Sequence, residues 1–297
     1  MSSNDQAWTV RRLLEWTTGF FARKEVDSPR LSAELLLAHV LNSPRIKLYT
    51  DYDRVVSEHD LTKFRSLVQR GAEQEPIAYL TGKAHFFNLE FDVNREVLIP
   101  RPDTETLVEN VLQLSRNAPG FESPRVLDLC TGSGCIAAAV AHHLKAATVF
   151  ATDINPRTVE IAKKNIERLG LADRVQVEQG DLFEPLPKRV DPRAFHLIVS
   201  NPPYIPSGQI EQLDRSVRDY EPIAALDGGL DGLAFHHRIL EHAGEHLETG
   251  GRVFFEIAFD QGDAALQVAR EYTGFEDFRV LKDYGGRDRV LTTRKSS

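Results

Sequence analysis

From about residue 103 to residue 257, helix-patterned and strand-patterned segments alternate, and this limits the fold more than any other feature of the chain. Apolar spacing predicts helices over 104–114, 136–144, 155–169 and 233–246. Short apolar runs between them predict strands over 126–129, 148–152, 175–177, 197–200 and 253–257. Repeated strand–helix–strand units build a mostly parallel sheet with helices on both faces, an α/β fold. Two more runs, 278–281 and 289–292, flank Gly285-Gly286 and predict a closing hairpin with one antiparallel strand.

The first eighty or so residues are patterned differently. Val10, Leu13, Leu14 and Phe21 mark one apolar helix face. Ser28-Pro29 reads as a cap and first-turn proline opening a helix over 31–41. Ser57 and Asp60 resemble a capping box ahead of Leu61, Phe64 and Leu67. Pro76 opens a short turn that Gly82 closes. The period then drops to two: Phe87, Leu89, Phe91 and Val93 form one run, Val97 and Ile99 another, with Asn94 as the expected hairpin turn. The expected division is an N-terminal helical domain over 1–84, a hairpin linker over 85–100 and an α/β domain over 101–297.

The net charge is −8, and neither part of the chain is basic. Residues 1–96 carry 13 Lys and Arg against 14 Asp and Glu; residues 97–297 carry 23 against 30. Duplex nucleic acid as the main partner is disfavoured, because phosphate neutralisation needs clustered cations. No apolar run approaches a membrane span, and Met1-Ser2-Ser3-Asn4-Asp5 lacks the basic start of a secretion signal. Cys130 and Cys135 are the only cysteines, with no second pair to complete a zinc site, so no metal is expected. They read as reduced thiols of a cytoplasmic protein.

Asn201-Pro202-Pro203-Tyr204 follows an apolar strand, at the end where open α/β sheets bind ligands. A prolyl nitrogen has no hydrogen, so Pro202 and Pro203 offer carbonyl acceptors without competing donors. The Asn201 side-chain oxygen is a further acceptor. Two acceptors can take both N–H bonds of one planar NH2 group, and Tyr204 offers it a flat face.

A second constellation precedes it. Asp128-Leu129-Cys130-Thr131-Gly132-Ser133-Gly134 joins the first parallel strand to its helix, where glycines admit a ligand to the backbone and helix N–H groups are free. Asp153 ends the next strand, placed to take both hydroxyls of a ribose. Gly180-Asp181-Leu182-Phe183 follows the third, with Asp181 placed for an adenine amino group and Leu182 and Phe183 as apolar walls. Residues 132–137 also fit the dinucleotide fingerprint, so a dehydrogenase is a rival. Asp128 favours another ligand, because a carboxylate there repels a pyrophosphate and suits a cationic amino group. S-adenosylmethionine has an amino group and a sulfonium, and no phosphate.

The chain resembles the class I S-adenosylmethionine-dependent methyltransferases, and more closely the HemK/PrmC family of peptide chain release factor glutamine methyltransferases. The resemblance runs over nearly the whole chain. It is carried by Pro76-Ile77-Ala78-Tyr79-Leu80-Thr81-Gly82, by Leu98-Ile99-Pro100-Arg101-Pro102-Asp103-Thr104-Glu105, and by the glycine loop. Asn201 to Tyr204, Arg218-Asp219-Tyr220-Glu221-Pro222 and Ala225-Leu226-Asp227-Gly228-Gly229 complete it. It implies an N-terminal helical bundle, a hairpin linker and a seven-stranded catalytic sheet. It implies methylation of the glutamine in the Gly-Gly-Gln motif of class-one release factors. Cys130, Thr131, Gly132, Ser133, Gly134 and Asp153 would bind the donor, Asp181 and Leu182 would border its adenine, and Asn201, Pro202, Pro203 and Tyr204 would hold the glutamine. Pro102 and Thr104 match a segment near the donor's methionine end. Cys130 stands where the family commonly has glycine, so a negative φ is expected there. A paralogous group acting on a large-subunit ribosomal protein ranks second, because its signature departs from Pro-Asp-Thr-Glu. A nucleic-acid adenine methyltransferase ranks lower on charge, and a silent donor-binding protein is disfavoured by the intact acceptor site.

Four other readings complete the sequence. Glu256 ends a strand and suits either the site or a structural hydrogen bond. His236, His237, His242 and His246 share one helix without a metal-binding pattern and read as an exposed face. Gly286-Arg287-Asp288-Arg289 reads as hairpin chemistry. Arg101 and Glu105 are expected to pair and fix their loop.

Overall fold

Strands covered on both faces read as continuous apolar runs, and the buried Leu197-Ile198-Val199 and Val253-Phe254-Phe255 are such runs. The computed structural model describes residues 7–186 and 195–296, so the N-terminal residues read above for a leader lie outside it. Its strands are β1 (Lys83–Phe86), β2 (Leu89–Asp92), β3 (Arg125–Leu129), β4 (Thr148–Asp153), β5 (Val175–Gln179), β6 (Phe195–Ser200), β7 (Leu247–Glu256), β8 (Phe275–Lys282) and β9 (Asp288–Lys295). Among the described residues, β3 to β9 form one seven-stranded sheet in the order β5-β4-β3-β6-β7-β9-β8. β5, β4, β3, β6 and β7 pair in parallel, and β9 runs antiparallel to both β7 and β8. The direction of strand addition reverses between β3 and β6, and a crevice opens at such a switch point. Helices Glu105–Asn117, Cys135–His143, Pro156–Arg168, Ala234–His246 and Gly262–Glu271 flank the sheet.

The chain divides into two units. The residues up to Lys83, with Asp214–Tyr220, form one; Ala84–Leu213 and Glu221 onward form the other. The first is helical and packs Leu13, Leu14, Phe21, Leu36, Leu37 and Phe64 into its own core. Within it the Tyr220 hydroxyl donates to the Glu73 carbonyl at 3.1 Å. The second unit centres on Leu127, Leu129, Ile198, Leu240, Phe255 and Leu291.

Several local readings need correction. The hairpin turns at Phe87-Asn88, not at Asn94, and both turn residues are left-handed, with φ of 49° and 62°. A two-residue turn of that hand matches the twist of its strands. Asn94 instead accepts from the Glu96 amide at 2.9 Å, and 93–100 forms no strand. Ser57 caps its helix as expected, accepting from the Asp60 amide at 3.2 Å. Ser28 does not: it is left-handed and makes no side-chain cap bond. β7 starts at Leu247 rather than 253, and the helix Gly262–Glu271 is absent from the sequence reading, having no side-chain cap to announce it.

Asn165 fastens this architecture. It lies in helix Pro156–Arg168, fully buried. Its Nδ2 donates to the carbonyls of Asp92 and Ser133, both at 3.0 Å, and its Oδ1 accepts the Asp92 amide at 2.7 Å. One side chain thus joins the edge of β2 to the glycine loop. Asn165→Ala strands these backbone groups and should cost on the order of 3 kcal/mol, read by urea unfolding.

Candidate active site

A cavity of about 400 Å³ opens at the carboxyl ends of β3, β4 and β6. A volume of that order suits a nucleoside-sized ligand. Cys130, Thr131, Gly132 and Ser133 form one wall, Asp153 and Asp181 another, and Thr104, Asn201 and Pro203 a third.

Asp128 is fully buried and does not line the cavity. Its Oδ2 accepts the Thr131 hydroxyl at 2.6 Å and the Ala137 amide at 3.1 Å. This corrects its reading as a direct contact for a cationic ligand: Asp128 shapes the loop that lines the cavity. Burial pushes its pKa up to about 7, against those two hydrogen bonds.

The loop alternates left-handed residues. Cys130 has φ of 58°, Gly132 57° and Gly134 81°. The expected negative φ at Cys130 is therefore wrong, and the cysteine takes the conformation a glycine takes freely. Burial pushes its thiol pKa up, so it stays neutral. Gly132 leaves open space where a Cβ would stand.

Asp153 is half-buried. Its Oδ1 accepts the Asn155 amide and its Oδ2 the Gly132 amide, each at 3.0 Å. A carboxylate oxygen accepts more than one bond, so both retain a lone-pair direction for vicinal hydroxyls. Desolvation raises the Asp153 pKa. Asp181 Oδ2 is held by Arg238 at 2.6 Å, with the buried Leu182 and the ring of Phe235 beside it in the cavity wall. A ribose-sized acceptor pair, an apolar slot and an open glycine backbone fit S-adenosylmethionine.

The other wall carries the acceptor groups. Asn201 Nδ2 donates to Thr104 Oγ1 at 3.1 Å. Pro202 and Pro203 are buried; Pro203 lines the cavity, whereas Pro202 and Tyr204, expected at the acceptor slot, are not among the residues that line it. The Tyr204 hydroxyl donates to Glu256 Oε1 at 3.1 Å, and burial pushes the Tyr204 pKa up. Pro102 opens the 3-10 turn that presents Thr104, without lining the cavity itself.

The chain is 41% identical over 296 residues to the release factor glutamine methyltransferase of Rhodopirellula baltica, covering 99% of each. It is 42% identical over 294 residues to that of Geobacter sulfurreducens, again 99% of each. It belongs to the release factor glutamine methyltransferase family. Residues 12–82 match the model of the PrmC N-terminal domain, and 103–215 that of the methyltransferase small domain. A methyltransferase from Pyrococcus furiosus shares the fold at 20% identity, with a TM-score of 0.51 over 78% of this chain and 98% of that one.

Other expectations for the methyltransferase change with its geometry. Arg101 pairs with the buried Glu221, not with Glu105, which instead accepts the Phe87 amide at 2.8 Å. His236 is fully buried, its Nε2 3.0 Å from the Glu256 carbonyl, and His246 stacks on Phe183 at 4.6 Å; these two do not form an exposed face. Among the described residues no cluster of metal-ligating side chains forms. Arg289 bridges Asp103 and Asp283, at 3.1 Å each.

Sequence reasoning missed Gln261 and Arg238. Gln261 Nε2 donates to the Tyr204 carbonyl at 2.9 Å, across 57 residues of chain, and nothing local signals it. Gly228 was visible only as part of the family motif. A Cβ on it would stand 2.8 Å from the Pro203 carbonyl oxygen and 2.8 Å from Tyr204 Cα. Only glycine allows that approach, so Gly228→Ala should displace the acceptor loop at about 1–3 kcal/mol of stability. Thermal unfolding reads the loss, and unaltered stability would show that the loop is not so tightly packed.

Proposed function

We infer that this protein methylates the side-chain amide nitrogen, N5, of the glutamine in the Gly-Gly-Gln motif of class-one peptide chain release factors, acting in translation termination. The observation that carries the reading is the Asn201 amide at the cavity wall. Its Nδ2 is engaged by Thr104, which leaves Oδ1 as the outward acceptor.

S-adenosylmethionine, when bound, supplies a methyl group on an electrophilic sulfonium. Cys130, Thr131, Gly132, Ser133 and Gly134 cradle the donor, and Asp153 takes its ribose hydroxyls. Asp128 acts on it through the loop, and Asp181 and Leu182 border the adenine. Asn201 Oδ1 and the Pro202 carbonyl accept the two N–H bonds of the glutamine amide. Pro203 and Tyr204 shape the slot around it. An amide nitrogen is a poor nucleophile because its lone pair is delocalised. Two fixed acceptors aim that nitrogen and favour the positive charge that grows on it, so positioning and preorganised dipoles do most of the work. The proton then leaves to water.

The helical segment up to about residue 84 is assigned to selecting the protein substrate, the segment to about residue 100 to joining, and the remainder to methyl transfer. Selecting one glutamine on one protein requires contact beyond a pocket that reads a few atoms. Because it acts in translation termination, the reaction is proposed for the cytoplasm. Among the described residues, no helix is long and apolar enough to cross a membrane.

Mass spectrometry of a recombinant release factor, after incubation with enzyme and donor, tests the function. One added methyl on the glutamine is expected, and an unmodified glutamine refutes it. Asp153→Ala should weaken donor binding roughly tenfold to a hundredfold, as loss of a charged hydrogen bond does. Calorimetry that finds full affinity would remove Asp153 from the ribose site. Asn201→Ala should lose most turnover at saturating donor while keeping donor affinity. The reverse pattern in a folded variant would assign Asn201 to the donor instead.

A further inference from the structure

The tail hairpin carries a cation into the ligand-binding end of the sheet. Ser200 of β6 pairs with Phe255 of β7, and Glu256 of β7 with Val290 of β9. Val290 is thus level with Asn201, and Arg289 stands one residue beyond, its carbonyl accepting the Ile257 amide at 2.9 Å. Arg289 is 7% exposed, so its charge needs an answer inside the protein. Two carboxylates supply it. Nε donates to Asp283 Oδ2, and Nη2 lies against Asp103 Oδ2, both at 3.1 Å.

The two carboxylates differ in what holds them. Asp283 belongs to the hairpin turn. Its amide donates to the Arg287 carbonyl, its carbonyl accepts the Gly286 amide, and its Oδ1 accepts the Arg287 amide, each at 2.9 Å. A guanidinium is a planar, rigid fork, so fixing Nε on Asp283 also decides where Nη2 points. It points at the Pro102–Thr104 turn.

A turn of three residues makes few bonds of its own, so its orientation comes from what grips it. Arg101 grips one side through Glu221, and Asp103 grips the other through Arg289. Thr104, next to Asp103, is 1% exposed, and its Oγ1 accepts Asn201 Nδ2 at 3.1 Å.

We propose that Arg289 is a positioning residue for methyl transfer: through Asp103 it ties the Pro102–Thr104 turn to the tail hairpin, and so sets the oxygen against which the Asn201 amide rests. This rests on the reading that Asn201 Oδ1 receives the glutamine amide. The last hairpin of the chain thereby acts on the acceptor wall without touching the substrate. A loosened turn carries Thr104 away from Asn201, and misplacement of a positioned group by about 1 Å can cost on the order of a hundredfold in rate.

The link is tested from both ends. Half of the Asp103 side chain is exposed, so Asp103→Asn removes the charge at little risk to folding. Arg289→Met removes the cation and keeps most of the stem. Each should lower kcat roughly tenfold at saturating donor and leave donor affinity unchanged. The double variant should be no slower than Arg289→Met alone, because both changes break one link. The side-chain amide NMR signal of Asn201, identified by its loss in Asn201→Ala, reports the same event without substrate. It should shift in Asp103→Asn and in Arg289→Met, and stay fixed in Arg279→Met, which breaks a pair with Asp277 elsewhere in the same hairpin. An Asn201 signal unmoved in Asp103→Asn, kcat losses that multiply in the double variant, or a fall in donor affinity equal to the fall in kcat overturns the proposal. If Arg289→Met does not fold, Asp103→Asn decides alone, by its Asn201 signal and its kcat. A shifted Asn201 signal in a protein that leaves the glutamine unmethylated would refute the assigned substrate and leave the positioning of Asn201 standing.

Discussion

The ligand-binding end of this sheet depends on one buried carboxylate. Asp128 closes β3 and holds both ends of the loop that follows, Thr131 through its hydroxyl and the first turn of helix Cys135–His143 through the Ala137 amide. The amino end of a helix favours a negative charge, which offsets part of the cost of burying one. With its ends fixed, the loop can hold three alternate residues left-handed. For Cys130 that conformation costs about 1–2 kcal/mol. The surrounding bonds sustain it: the Thr131 amide donates to Thr152 on β4, and the Gly134 amide donates to Thr131, both at 2.9 Å. The result is an open backbone facing the cavity, with Asp153 drawn in by the Gly132 amide.

The acceptor wall uses the same principle with different parts. Its polar groups are oriented by buried partners behind them rather than by the ligand. Gln261 holds the Tyr204 carbonyl, Glu256 holds the Tyr204 hydroxyl, and Thr104 holds the Asn201 amide nitrogen. Prolines at 202 and 203 remove the two N–H groups that would compete for those acceptors. The glycine at 228 lets a neighbouring loop brace the Pro203–Tyr204 backbone at close range. Fixed dipoles cost no reorganisation when charge develops, which is how an enzyme activates a weak nucleophile without a strong base.

The sequence made the sheet legible because parallel strands must be apolar throughout and must be separated by helices. It also picked out cavity-lining residues that lie in short runs: Cys130 to Ser133, Asp153 at a strand end, and Asn201 and Pro203. What it hid were side chains paired across long stretches of chain. Arg101 had an acidic neighbour four residues away, yet its partner is Glu221, 120 residues on, because burial of that carboxylate demands a cation. His236 looked like a surface histidine among others, but it occupies the single face of its helix that meets β7. Asp128 was read from its chemistry as a ligand contact, and only the packing shows that it is buried with its Oδ2 engaged by the loop. At Cys130 a steric rule for L residues was applied where loop closure outweighs it.

Charge around the cavity follows from these pairings. Arg101 is matched by Glu221, Arg238 by Asp181, and Glu96 by Arg157. Among the described residues, Asp153 and Asp227, which both line the cavity, have hydrogen-bond donors but no cation for partners. The cavity therefore keeps uncompensated carboxylates, Asp153 in a partly desolvated place, where an opposite charge is worth more than in water. Such a lining favours a cationic ligand over an anionic one, so a methyl donor without phosphate suits it better than a dinucleotide does.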